Sequence, residues 1–397
     1  MMKKKVVLFG AYDRYNYGDN LMPILLEMYV DKYLPEKLDS YQFIHASISD
    51  SDLSSFACFK TESITRTIEK LEEGDVIIVV GGEVLCASNA GLYLHMPKPK
   101  LLNDFYTKLN SFPLIKKLFK SWADLKYKAP WDYPYLPDQK LLNDGVIVKY
   151  NTIGGGIPRK LPATKKVDLT NRLEASKFLS VRDKRTYDRL DHINNVELYP
   201  DSAFIMSDLC SDSFLSSKVR GDILSYVESP YIIFQAAPSK LGDSLTNAVE
   251  KLGALSKKTN KRILLLPIGY AAGHDDFYLL NNMHKKMLDY SDIKFELNIW
   301  EIMYLIKNSD CYIGTSLHGA ITAMSFGKPH FGINRSIQKL NAFLRDWSIA
   351  PYDHCYSVSE IEDLNKLINS SNKFELESNA KRLISLVIEN NNKLFNF

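Results

Sequence analysis

The sequence contains no long hydrophobic run. Its longest wholly apolar stretches, such as Val76–Val80, fall far short of the roughly 18 residues that cross a bilayer as a helix, which argues against an integral membrane protein. Charge of one sign is also missing. Fifty Lys and Arg against 47 Asp and Glu leave a net charge of only +3, so the overall balance does not point to nucleic acid as a partner. Cysteine is sparse: Cys58, Cys86, Cys210, Cys311 and Cys355 show no C-x-x-C and no metal-ligand spacing. An odd number of them in a chain of 397 residues fits a reducing cytosol better than a disulfide framework. The eight His are dispersed, and His274 with Asp275 and Asp276 reads as the start of a surface helix, so no metal is expected. Walker A, H-E-x-x-H and G-x-S-x-G sequences are absent, which argues against P-loop enzymes, zincins and serine hydrolases. The start, Met1-Met2-Lys3-Lys4-Lys5, imitates the charged region of a signal peptide. The apolar residues behind it end at Phe9, however, and Asp13 and Arg14 follow, so a first strand is expected there.

What the chain does have is a globular composition, 45% hydrophobic and 24% charged, and a length that at about 150 residues per domain implies two to three domains. Short β-rich runs alternate with amphipathic helical stretches, the pattern of βα units stacked on a parallel sheet. Strands are expected at Val6–Gly10, Tyr41–His45, Val76–Val80, Val146–Ile153, Phe178–Arg182 and Val196–Tyr199, with a first helix near Leu21–Tyr33 that carries Pro23 in its first turn. After a polar stretch, Ser207–Ser217, a second series begins with strands at Tyr231–Gln235, Arg262–Pro267, Ile293–Glu296, Cys311–Gly314 and His330–Ile333. Its helices are expected near Leu241–Thr259, Asp276–Leu288, Trp300–Asn308 and Ala320–Phe326. The fold class is therefore α/β, with two Rossmann-like domains facing each other. The first covers 1–206 and the second 207–374, and a long C-terminal helix in 375–397 returns across the interface.

One segment breaks the rhythm. Tyr93–Lys140 holds nine Lys, four Asp, two of the four Trp and six Pro, too long for an ordinary βα connection. Within it, aromatic and aliphatic residues alternate with Lys116, Lys117 and Lys120. Two readings stand side by side: a basic amphipathic helix resting on anionic lipid through 112–131, or an insertion that packs its aromatics on the first sheet and leaves its lysines in water.

The stretch richest in chemistry is Gly314-Thr315-Ser316-Leu317-His318-Gly319. A strand ends, a polar turn follows and a helix begins, which sets helix N–H groups at the carboxyl edge of a parallel sheet, ready for phosphate or carboxylate. Thr315 and Ser316 can add hydroxyls, and His318 can exchange a proton at neutral pH. The alternative is a plain helix cap. Asn16-Tyr17-Gly18-Asp19-Asn20, Gly81-Gly82-Glu83 and Gly154-Gly155-Gly156 follow other strands, and none forms the dinucleotide fingerprint.

Taken in order, Asn16-x-Gly18-Asp19, Gly81-Gly82, Arg182-Asp183, Asp201, Ser316-x-His318-Gly319 and Lys339 resemble the polysaccharide pyruvyl transferase family. The resemblance implies a GT-B-like fold and transfer of pyruvate from phosphoenolpyruvate onto two hydroxyls of a sugar, in the cytoplasm, during cell-surface glycan biosynthesis such as that of exopolysaccharide or capsule. It implies no cofactor besides the donor substrate, and a saccharide acceptor on a lipid or nucleotide carrier. His318 would move the proton, and Arg182 and Lys339 would bind the anionic groups. Asn16, Gly18, Asp19, Gly81, Gly82, Gly314, Thr315, Ser316 and Gly319 would line the substrates. Members of the family often carry an arginine where Ser316 stands. A serine lacks the guanidinium fork, so Arg335, just past the following strand, is the candidate to supply that charge. Arg182-Asp183 reads equally as a salt bridge with a helix cap, Lys339 as a solvated residue and Asp201 as a turn residue. Two other functions remain beside pyruvyl transfer, a GT-B glycosyltransferase using a nucleotide sugar and a non-catalytic member of a glycan-assembly complex.

Overall fold

The computed structural model describes residues 3–95, 118, 121–123, 125–127, 129–158, 160–269 and 276–396. The chain forms two compact units, one from residues 3–202 with 389–396, the other from 203–269 with 276–388.

The first unit is built on seven parallel strands: β1 Lys4–Phe9, β2 Tyr41–Ser47, β3 Glu62–Ser63, β4 Val76–Val79, β5 Ile147–Ile153, β6 Phe178–Val181 and β7 Val196–Leu198. Their spatial order is β3-β2-β1-β4-β5-β6-β7. β4 is wholly buried, as a parallel strand covered on both faces must be, and its sequence VIIV therefore shows no alternation. The first helix, α1 Tyr17–Tyr33, starts four residues before the expected Leu21. Asn20 explains the difference: its Oδ1 accepts from Asn16 N (2.9 Å) and its Nδ2 donates to Tyr12 O (3.1 Å), which ties the loop to the first helical turn. Gly18 and Asp19 are thus helical, and Pro23 falls in the second turn, where it has no N–H to give the Asp19 carbonyl. α2 Ala163–Glu174 lies between β5 and β6.

Residues 96–117, 119, 120, 124 and 128 lie outside the described residues, and with them half of the 112–131 stretch for which membrane contact is one of the two readings. Of the described part, Tyr127, Trp131, Tyr135 and Leu136 belong to the core of the first unit, with Trp131 and Tyr135 against Phe9 at ring distances of 6.2 and 5.3 Å. Leu118 and Leu125 are exposed. Among the described residues no helix is long and apolar enough to cross a membrane.

The second unit holds six parallel strands: β8 Tyr231–Gln235, β9 Arg262–Leu265, β10 Ser291–Ile293, β11 Cys311–Gly314, β12 His330–Ile333 and β13 Cys355–Tyr356, in the order β10-β9-β8-β11-β12-β13. Its longer helices are α3 Leu245–Thr259, α4 Asp276–His284, α5 Ile299–Asn308, α6 Leu317–Ser325, α7 Gln338–Trp347 and α8 Lys373–Leu394, the last of which ends among the residues of the first unit. The expected strand Ile293–Glu296 is shifted to Ser291–Ile293, because Glu296 takes a left-handed backbone (φ 53°) that a strand cannot contain. The polar stretch Ser207–Ser217 is not a loose connection: Ser325 Oγ donates to Phe204 O (2.8 Å) and accepts from Ser207 N (3.2 Å). β3 and β13, two residues each, are edge strands too short to show in a hydrophobic pattern.

The chain end is fixed in the first unit by a buried ammonium. Lys149 Nζ donates to Leu394 O (2.6 Å) and Asn396 O (3.2 Å), at the negative end of α8. Tyr29 OH donates to Asn392 Oδ1 (2.7 Å) and Asn390 Nδ2 to Asn151 Oδ1 (2.7 Å). Burial, with Lys37 nearby, pushes the Lys149 ammonium down to about 8. Lys149→Met should cost about 1–3 kcal/mol at neutral pH, the price of two carbonyls left without a donor. Between pH 8 and the ordinary lysine value the unfolded chain binds more protons than the folded one, so wild-type stability relative to the variant should rise across that window. Urea unfolding of both proteins at neutral and alkaline pH checks it; a gap that stays constant would contradict the buried ammonium.

Candidate active site

In each unit the strand order reverses beside the first strand of its series, and ligands of open α/β sheets bind outside the carboxyl ends of the strands at such points. In the first unit the reversal lies between β1 and β4. Gly81 and Gly82, directly after β4, both take positive φ (103° and 87°). A Cβ on Gly81 would meet Met22 Sδ at 2.7 Å and Asn151 O at 3.3 Å, and one on Gly82 would lie 3.4 Å from Asp19 Oδ1. The glycines thus let the Asp19 carboxylate approach the backbone after β4, and Asn16 stands at the start of the same helix.

Sequence reasoning overlooked a buried polar group on this loop. Asp13 Oδ1 pairs with Arg14 Nη1 (3.0 Å), and Asp13 Oδ2 accepts from Tyr127 OH (2.7 Å) and Ser49 Oγ (2.9 Å). Asp13 and Arg14 are only 3% and 5% exposed. Adjacent Asp and Arg give no signal in a linear sequence, because the Tyr127 that completes the group comes more than a hundred residues later.

Arg182 lies at the end of β6 with 1% exposure. Its Nη1 pairs with Asp201 Oδ2 (2.9 Å) and its Nη2 with Glu83 Oε2 (3.1 Å), while Glu83 Oε1 also takes Arg185 Nη2 (2.7 Å). Burial opposes the charge, but Asp201, Glu83 and Asp183 outweigh it and hold the guanidinium firmly protonated. A Cβ on Gly154 would meet Arg182 Nε at 2.8 Å, so that glycine makes room for the side chain. Asp183 caps the next helix by accepting from Thr186 N (2.7 Å). Arg182 is therefore committed to two carboxylates and ties the loop after β4 to the end of β6, instead of presenting an open cation.

In the second unit the reversal lies between β8 and β11, and Gln235 at the end of β8 organises it. Gln235 Oε1 accepts from Ser316 N (2.9 Å), Thr315 N (3.1 Å) and Tyr312 OH (3.1 Å), and its Nε2 donates to Asp276 Oδ2 (2.8 Å). Thr315 Oγ1 accepts from Ala237 N (3.2 Å). Ser316 Oγ caps α6 by accepting from Gly319 N (3.4 Å). A side chain on Gly319 or Gly314 would collide with the Tyr312 hydroxyl, so both glycines are required for β11 and α6 to close on that ring. His318 is half-buried in the first turn of α6, and its carbonyl accepts from Thr322 Oγ1 (2.8 Å). The N–H groups of Thr315 and Ser316, just ahead of α6, are thus taken by Gln235.

Positive charge at this edge comes from Lys240 and Lys339. Burial, then the neighbouring Lys339, push the Lys240 ammonium down to about 8, with Asp276 acting the other way. Asn334 (φ 75°) donates through Nδ2 to Lys240 O (2.9 Å) and so joins the loop after β8 to the loop after β12. Arg335 is turned to Glu360, in a bidentate pair at 2.7 and 2.9 Å, with Nε on Cys355 O (3.2 Å). The structure thus gathers Gly314, Thr315, Ser316, His318 and Gly319 at the β8–β11 edge, where Lys339 lies near Lys240, while Arg335 is occupied by Glu360. Among the described residues no cluster of three His, Cys, Asp or Glu could hold a metal. Glu301 is occupied by its capping box with Asn298 and by Arg220 Nε (2.7 Å).

Asp276 is not a surface residue. It is 2% exposed, and its Oδ2 also accepts from Gly269 N (3.1 Å) and Ile268 N (3.2 Å). Burial outweighs these donors and raises its carboxyl to about 7. The folded protein then keeps a proton that the unfolded chain has released, so stability should fall as pH rises from about 4 to about 7, by a few kcal/mol at about 1.4 kcal/mol per unit of displacement. Asp276→Asn keeps an oxygen for the same donors and should flatten that slope in denaturant titrations. An unchanged slope would contradict the assignment.

The sequence profile of a family described as Polysaccharide pyruvyl transferase matches residues 16–337, a span that takes in every residue discussed above from Asn16 to Arg335. No curated protein matches the chain. Among solved structures, HepE of Anabaena in complex with UDP aligns at a TM-score of 0.52 with 10% identity, over 99% of this chain and 98% of that one. MnaA of S. aureus, also with UDP, aligns at 0.50 with 12% identity over 98% and 94%. At such identities the likeness is one of fold, and it is the GT-B-like arrangement of two parallel α/β sheets. On the profile match and this fold, the chain belongs to the polysaccharide pyruvyl transferase family.

Proposed function

We propose that the protein transfers pyruvate from phosphoenolpyruvate to two hydroxyls of a saccharide in glycan biosynthesis, and that the donor's anionic groups bind at the β8–β11 edge. The observation that carries this reading is the pair of ammonium groups, Lys240 and Lys339, at the edge where α6 begins. Like charges held together cost stability until an anion is bound between them, and a helix N-terminus favours the same ligand. The two lysines supply the charge that Ser316 does not.

In this reading His318 delivers a proton to the donor's methylene carbon, which becomes the methyl group. A sugar hydroxyl adds to C2, and the C2–O bond to phosphate breaks. A second hydroxyl closes the ketal. The two hydroxyls release two protons; one replaces the proton used at the methyl group and the other leaves on phosphate. Lys240, Lys339 and the start of α6 offset the charge on carboxylate and departing phosphate. Asn16 and Asp19, with the backbone of Gly81 and Gly82, orient acceptor hydroxyls, and Arg182 acts as a positioning residue beneath them. Peripheral contact with the inner face of a membrane through 112–131 would suit a lipid-linked acceptor.

A nucleotide-sugar reaction is the second reading, favoured by the UDP bound in the structures of HepE and MnaA. The same cations could hold a diphosphate. Thermal shifts separate the two: a ligand at a hundred times its dissociation constant should add about 2.7 kcal/mol. Stabilisation by phosphoenolpyruvate that weakens in Lys240→Ala and Lys339→Ala, together with donor-dependent phosphate release that falls about a hundredfold or more in His318→Ala, is the expected outcome. Stabilisation by UDP alone would replace pyruvyl transfer with glycosyl transfer. Turnover should persist in EDTA.

A further inference from the structure

A cavity at the carboxyl edge of the first sheet has a thiol in its wall. Its volume is about 360 Å³, and its walls include Cys86, Ser88 and Asn89 from the segment after β4 and Trp131, Asp132 and Tyr133 from the segment before β5. That size is at the lower end of small-ligand sites. Cys86 is exposed, while Cys58, Cys210, Cys311 and Cys355 are buried, and burial pushes their thiols well up. Exchange with a disulfide needs a thiolate that a dissolved reagent can reach, so Cys86 is the cysteine suited to it.

The surroundings give this thiol more than exposure. A Cβ on Gly155 would lie 3.5 Å from Cys86 Sγ, and the carbonyl of the same glycine accepts from Arg189 Nη1 (3.4 Å). The sulfur and an exposed guanidinium thus lie against one glycine, and the guanidinium is held there by a neutral acceptor that leaves its charge for a ligand. A neighbouring cation also favours the thiolate. Asn89 is only 7% exposed, and its Oδ1 has no hydrogen-bond partner in the protein. A buried carbonyl oxygen without a donor costs about 1–3 kcal/mol, a cost that a ligand N–H would remove. Asp132 in the wall is met by Lys165 at 2.5 Å, and the same ammonium lies over the Tyr133 ring at 5.7 Å, so the wall carboxylate is compensated and an anionic ligand is not turned away.

From this we infer that Cys86 is a modification site for a small peptide disulfide of the glutathione type, with a peptide N–H on Asn89 Oδ1 and a carboxylate on Arg189. The Cys86 thiolate attacks one sulfur of that disulfide. The S–S bond breaks, a new S–S bond joins Cys86 to the attacked half, and the other half leaves as a thiolate that takes up the proton Cys86 released. Cys86 is oxidised and the departing half is reduced, so the disulfide is the whole oxidant. The adduct fills the cavity beside Glu83, whose carbonyl accepts from the Cys86 thiol (3.8 Å) in the reduced protein.

The test mixes the reduced full chain with glutathione disulfide or with hydroxyethyl disulfide, which has neither amide nor carboxylate, and follows adduct formation by intact mass and peptide mapping. The adduct should map to Cys86. Its rate should level off as glutathione disulfide rises, because binding precedes reaction, and should stay linear with the hydroxyethyl reagent. The ratio of the two rates cancels any change in thiolate fraction. It should fall roughly five- to tenfold in Asn89→Leu and in Arg189→Gln, the loss of about one hydrogen bond each, with both variants matched to wild type in melting temperature. A rate that stays linear with glutathione disulfide, an adduct on another cysteine, or a ratio unchanged in either variant would each overturn the inference.

Discussion

Gln235 stands at the end of the central strand of the second unit and serves two loops with one amide. Its oxygen takes the N–H groups of Thr315 and Ser316 and the hydroxyl of Tyr312, and its nitrogen meets Asp276. All of these groups are buried or nearly so, where each polar atom left alone costs on the order of 1–3 kcal/mol. The amide cannot be turned over without breaking both sides, since the carboxylate oxygen accepts and the backbone N–H groups donate. The start of α6, and with it His318, is therefore held in position by a side chain on a different strand. Asp276 fixes which way that side chain faces.

The two sheet edges treat positive charge in opposite ways. In the first unit Arg182 is enclosed by Asp201 and Glu83, and removing either carboxylate would leave a buried charge uncompensated. Such a pair organises loops and has little attraction left for a substrate. In the second unit Lys240 is pressed by another lysine, and the nearby carboxyl of Asp276 has itself been raised toward neutrality. An anion is stabilised by the second arrangement far more than by the first. Arg335 also meets a carboxylate, Glu360 through both oxygens, but as an exposed surface pair and not an enclosed one.

Small residues decide how closely the elements approach. Gly319 and Gly314 make space for one tyrosine, Tyr312, and Gly154 for one arginine. Gly81 and Gly82 combine close approach with positive φ, a backbone that side chains other than glycine seldom tolerate. Each glycine is explained by a residue distant in sequence, apart from Tyr312, which lies within the same strand–turn–helix unit.

The alternation of apolar strands and amphipathic helices was enough to determine an α/β chain with two series of parallel strands, because burial on both faces of β1, β4, β8 and β11 leaves continuous apolar runs in the sequence. It also determined the turn Gly314–Gly319, where local capping chemistry is written in adjacent residues. The short edge strands β3 and β13 and the true position of β10 were not legible, since two-residue strands carry no period and the left-handed Glu296 has no signature. How each of the cations is surrounded was decided only by tertiary structure. Arg182, Arg335, Lys240 and Lys339 are equivalent cations in a linear sequence, and only the folded chain brings carboxylates to the first two and sets the last two against each other. Asp276 likewise changes from a surface helix start to a buried carboxyl because Gln235, forty-one residues earlier, reaches it across the end of the sheet.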